Sequence, residues 1–109
     1  HIKCIFKELA MITLIAEHWS DPDGIERGTD AIKNNTQNLK NTKGLISRMV
    51  LKSEIDPYKI TTVTTFADRS SYENFVKGVE QRNAQRAKDG VQSLFRGEKL
   101  EGYEVLANI

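Results

Sequence analysis

His18 and Trp19 end an apolar run, Ile12-Thr13-Leu14-Ile15-Ala16, with Glu17 between, and Ser20-Asp21-Pro22-Asp23-Gly24 follows at once. An imidazole titrates near neutral pH, so a histidine at the end of an apolar strand is a candidate base, axial ligand or substrate-orienting group. The competing reading is a histidine satisfied by a hydrogen bond at a buried strand end. Further along, Phe66, Tyr72 and Phe75 are aromatic, while Asn74, Arg82, Asn83 and Gln85 are polar residues of a predicted helix. A ligand pocket needs a few convergent polar groups among apolar walls, and these residue types meet that need. Core packing explains Tyr72 and Phe75 equally well by spacing, and helical periodicity can turn the polar residues to solvent.

Any such chemistry must do without a cysteine cluster. Cys4 is the only cysteine, and His1 and His18 are the only histidines, too few for a zinc site of the usual His and Cys type. The 109 residues make one domain, and 39% apolar with 28% charged residues is an ordinary globular composition. Sixteen basic against 15 acidic residues give a net charge of +1 and no general attraction for nucleic acid. The stretch from Gln81 to Lys88 is basic and lacks interleaved aromatics, so it reads as a solvated face. The longest apolar run is far short of a membrane span, and no secretory leader is recognisable. A cytoplasmic location is the default expectation. The chain opens on His, and Met11 looks like a natural start. Residues 1–10 are therefore read as an N-terminal extension, a helix or an added edge strand, ahead of a domain over residues 11–109.

The elements that must position these residues follow from periodicity. Alternation in Met11 to Trp19 puts Ile12, Leu14, Ala16 and His18 on one face and Thr13, Ile15, Glu17 and Trp19 on the other. Both faces are largely apolar, so the strand is expected to be covered on both sides. A helix is predicted over about Asp23 to Asn41, with Ile25, Ile32 and Leu39 as a thin stripe. A second strand spans Leu45 to Ser53 and a third Lys59 to Ala67, tightly connected and hence antiparallel neighbours. The second helix starts near Asp68, with Ser70 and Glu73 as a capping box, and Gly78 is expected to bend or break it. Val91 to Phe95 is of uncertain type, and Leu100 to Ile109 is the last strand. The order β-α-β-β-α-β is the split βαβ arrangement of ferredoxin-like α+β folds, a four-stranded antiparallel sheet with both helices on one face. A homodimer, sheet against sheet, would cover the other face. Ile15, Glu17 and Trp19 would lie in that interface, with Trp19 packing there and Glu17 pairing with Arg48 or Lys52.

Four segments stand in order along the chain: Met11-Ile12-Thr13-Leu14-Ile15-Ala16-Glu17, Thr42-Lys43-Gly44-Leu45-Ile46, Leu51-Lys52-Ser53-Glu54-Ile55-Asp56-Pro57 and Phe66-Ala67-Asp68-Arg69-Ser70-Ser71-Tyr72-Glu73. Through them the chain, over about Met11 to Ile109, resembles the antibiotic biosynthesis monooxygenase family of dimeric α+β barrels. It implies a pocket between sheet and helices. The family includes cofactor-independent oxygenases of quinols and polycyclic phenols, haem-degrading oxygenases and isomerases. The haem-degrading branch keeps an Asn at the end of strand one and a Trp and a His in the second helix. This chain has His18, Phe75 and Gln85 at those places, so it departs from that branch at all three.

Two functions follow from the resemblance. One is a cofactor-independent monooxygenase of a small aromatic or quinol substrate, with His18 as base and Asn74 or Arg82 stabilising the substrate anion. Its pocket would be walled by Leu14, Phe66, Tyr72, Phe75, Val79, Asn83 and Gln85. The other is a non-catalytic module binding a small ligand or haem through the same scaffold. No metal and no cofactor are expected for the first, and haem is the cofactor to test for the second.

Overall fold

The computed structural model describes residues 8–109; residues 1–7 of the expected extension lie outside the described residues. Four strands form one antiparallel sheet: β1 (Ile12–Trp19), β2 (Leu45–Lys52), β3 (Lys59–Phe66) and β4 (Gly97–Glu104). Their order is β2-β3-β1-β4, with two helices, α1 (Ile25–Asn38) and α2 (Arg69–Lys88), in the connections. This is the ferredoxin-like α+β arrangement expected from the sequence.

Alternation decides which face is covered. Ile12, Leu14 and Ala16 of β1 and Ile60, Thr62, Thr64 and Phe66 of β3 are buried, and the register sets Leu14 opposite Thr64 and Ala16 opposite Thr62. α1 lies against β2, and α2 against β1 and β3. On the opposite face Met49 is 52%, Leu51 41% and Tyr103 43% exposed. There Met49, Val63 and Ile15 form a row across three strands, beside a Thr13–Thr65 hydroxyl hydrogen bond of 2.9 Å.

Several boundaries differ from expectation for local reasons. α1 is shorter than predicted and is entered through a 3₁₀ turn at Pro22–Gly24, because proline suits a first turn and lacks the N–H of a helix interior. α2 is N-capped by Asp68, whose Oδ1 accepts from Ser71 N at 2.8 Å. Ser70 instead donates its N–H and hydroxyl to the Glu8 carboxylate, so the expected Ser70–Glu73 box is not the cap. Gly78 does not interrupt α2, which runs unbroken for 20 residues. The last strand is Gly97–Glu104, not the more apolar Leu100 to Ile109. Pairing with β1 sets its limits: Arg96 N donates to Trp19 O and Val105 N to Met11 O, each at 2.9 Å. In β2 the register shifts between Leu45 and Ser47, which brings Leu45 opposite Phe66. Gly44, before this shift, has φ +79, a left-handed conformation that glycine adopts without a side-chain clash.

Candidate functional site around His18 and Arg48

β1 carries His18 at its far end on the covered face, opposite Ile60 of β3 and Glu98 of β4. Its side chain is 15% exposed, and Nδ1 lies 3.7 Å from Glu98 Oε1, longer than a hydrogen bond. Nδ1 is buried without a hydrogen-bond partner, so the simple reading of a satisfied core histidine does not hold for that atom. Phe95 covers the imidazole, the ring centroids 4.9 Å apart. Phe95 reaches this place because α1 has Gly28 beneath it; a Cβ at Gly28 would meet Phe95 Cε1 at 2.8 Å. Burial lowers the His18 pKa below its ordinary value, Glu98 opposes this, and Arg48 adds to the lowering. The result is a shielded neutral imidazole at neutral pH.

Arg48 extends from β2 over the same face. Its Nε donates to Thr36 Oγ1 of α1 at 2.9 Å, and its Nη1 donates to Thr64 Oγ1 of β3 at 3.1 Å. Thr36 in turn donates to Ile32 O at 2.8 Å, which orients the hydroxyl to accept from Arg48. Thr64 is wholly buried. Among the described residues Arg48 has no ion-pair partner. Burial lowers its pKa and the like charge of Arg82 lowers it further, although a guanidinium stays charged at any physiological pH.

The residues expected at a site separate into groups. Phe66 packs against Phe75 at 5.1 Å and Tyr72 at 6.2 Å between centroids and is fully buried; with the buried Leu14 on the same face, these form packed core. Val79 is half-buried. Arg82 is exposed and shares the field of Arg48. Asn83 and Gln85 are exposed, and Gln85 Nε2 donates along the helix to Asp89 Oδ1 at 3.1 Å. Asn74 and Phe75 also line a separate groove of about 450 Å³, with Thr42, Lys43 and Ser70 at the start of α2. Of the expected polar residues, only Arg82 joins the electrostatic surroundings of Arg48. On the bare face, Glu17 pairs with Lys59 at 3.2 Å, and Lys59 Nζ lies 5.8 Å from the Trp19 ring centre. That corrects the expected pairing of Glu17 with Arg48 or Lys52, since Arg48 lies on the other side of the sheet. A larger groove of about 670 Å³ runs between α1 and the β2 edge, lined by Ile25, Asp30, Val50, Lys52 and Ile60 among others. It does not include His18.

Arg48, Thr36, Thr64 and Phe95 were missed in the sequence. Alternation put Arg48 on a face with Val50 but gave no sign that a helix hydroxyl would meet it. Among the described residues no group of three or more His, Cys, Asp or Glu is arranged to hold a metal ion. No helix of the described chain is long and apolar enough to cross a membrane.

No protein-family model matches the chain, and no curated protein matches it by sequence. Solved structures do match. SnoaB, a cofactor-independent oxygenase from Streptomyces nogalater, superimposes with a TM-score of 0.69 at 7% identity, over 92% of this chain and 97% of that one. A candidate antibiotic biosynthesis monooxygenase from Deinococcus radiodurans gives 0.72 at 11%, covering 90% and 95%. Another from Nitrosomonas europaea gives 0.70 at 17%, covering 89% and 91%. The chain therefore has the fold of antibiotic biosynthesis monooxygenase structures, as the sequence resemblance implied.

Proposed function

We propose that this protein is a cofactor-independent monooxygenase of the antibiotic biosynthesis monooxygenase type, acting as a homodimer on a small electron-rich aromatic or quinol held between sheet and helices. The observation that carries the reading is His18: a shielded imidazole kept neutral by burial, on a fold shared with an oxygenase that uses no cofactor. Without a cofactor the substrate must supply every electron. His18 accepts a proton from the CH₂ carbon in the keto tautomer of a phenol, leaving an anion that reduces dioxygen. A carbon–oxygen bond forms, giving a peroxide at that carbon. Its O–O bond then breaks as the second hydrogen leaves as a proton, so the carbon becomes a carbonyl. The departing hydroxide takes the first proton back from His18 and leaves as water. The balance is CH₂ + O₂ → C=O + H₂O.

The test is oxygen uptake with a panel of phenols and quinols, without nicotinamide, flavin or metal. Uptake of one O₂ per product formed is expected, with a loss of about 10²-fold or more in His18→Ala. No uptake across the panel, or equal rates for both proteins, would refute the role given to His18. Dimerisation is supported by the bare row of Met49, Val63 and Ile15, since burying each large apolar side chain contributes about 1.5–3 kcal/mol.

A further inference from the structure

Arg48 is a cation half removed from water, and what surrounds it is unusual for a structural arginine. Its two hydrogen-bond partners, Thr36 Oγ1 and Thr64 Oγ1, are neutral hydroxyls. The charge acting most strongly on it is Arg82, of the same sign. Buried or half-buried arginines ordinarily meet a carboxylate, because desolvating a guanidinium is costly and only an opposite charge offsets much of that cost. Here the two threonines hold the guanidinium plane from two sides, one from α1 and one from the centre of the sheet. Two of its five N–H donors are used, and three remain for a ligand.

We propose that Arg48, braced by Thr36 and Thr64, is an anion subsite that binds the carboxylate of an aromatic acid. A planar carboxylate matches the guanidinium fork with two parallel hydrogen bonds, which a neutral amide or ester cannot reproduce. This inference rests on the proposed function and names the charged end of its substrate; Arg48 acts as a specificity-determining residue on the same sheet face as His18, with His18 doing the proton transfer. Arg82, exposed on α2, adds long-range attraction that salt screens.

The full chain is titrated by calorimetry with 2-naphthoate and with its neutral isostere 2-naphthamide. The expected result is at least tenfold tighter binding of the carboxylate, a preference abolished in Arg48→Gln and retained in part by Arg48→Lys. Arg82→Gln should weaken the preference only a fewfold and flatten its salt dependence. In the unaltered protein, naphthoate should shift the Arg48 Nε–H resonance while naphthamide leaves it in place, a readout that stands even if Arg48→Gln fails to fold. Equal affinity for the two probes, a preference that survives in folded Arg48→Gln, or an unmoved Arg48 resonance would overturn the subsite. Oxygen uptake without carboxylate preference removes the subsite and leaves the oxygenase reading; carboxylate preference without uptake does the reverse.

Discussion

His18 is pulled two ways, and the balance has a measurable sign. Burial favours the neutral ring, and the Glu98 carboxylate, 3.7 Å away, favours the charged one. Burial prevails, so the native pKa lies below that of the unfolded chain, about 6.5. As pH falls, the unfolded state therefore takes up this proton first. The contribution of His18 is fully present above about pH 6.5 and is lost as pH falls through the window between the unfolded and native values. Urea unfolding from pH 7.5 to 5 should show a stability loss that flattens in His18→Gln. In Glu98→Gln the imidazole loses its opposing charge, and NMR titration of His18 should report a still lower pKa. A native pKa above 6.5 would contradict the assignment of a neutral base.

The elements hold the site through a few places where backbone and packing agree. Gly44 ends the α1 to β2 connection at φ +79, and a Cβ there would collide with the Ser71 side chain at the start of α2. Gly44→Ala should therefore destabilise by about 1–3 kcal/mol, read from urea midpoints. Gly78 is the opposite case. It lies inside a continuous helix, and a methyl group added at its Cα would meet nothing within 4 Å, so Gly78→Ala should stabilise by about 0.5–1 kcal/mol. A loss of stability there would mean that α2 is bent at that glycine after all. The same helix explains why Asn83 and Gln85 are far from the core. From Glu80 to Lys88 every residue is exposed, and the inward stripe of Tyr72, Phe75, Val76 and Val79 gives way to Arg82, Asn83 and Arg86.

The whole molecule is extended for its length. Its radius of gyration is 15.2 Å, against about 13 Å for a compact chain of this size. Among the described residues none forms a layer over one face of the sheet, and Met49 and Leu51 stand on it half exposed. In the proposed homodimer a second copy supplies that layer, with Trp19 and its Lys59 neighbour near the rim. Sedimentation equilibrium at micromolar concentration should give twice the chain mass, and Met49→Glu with Leu51→Glu should give monomers that retain their far-ultraviolet spectrum. A stable monomer of the unaltered protein would exclude this assembly.

The sequence by itself determined the order of elements, the two faces of β1 and the antiparallel pairing of β2 with β3, because strand alternation and turn chemistry are local properties of neighbouring residues. It also located His18 at the end of a strand on the covered face. Strand ends such as those of β4 were decided by pairing with β1, since backbone hydrogen bonds to a neighbour extend a strand through polar residues that carry little hydrophobic signal. Only the tertiary structure decided the rest of the site. Arg48 meets Thr36 and Thr64 across 12 and 16 residues of chain, and Phe95 covers His18 because Gly28, on another element, leaves room for its ring. Such contacts depend on how α1 sits over the sheet, a packing outcome that no periodicity within one segment encodes.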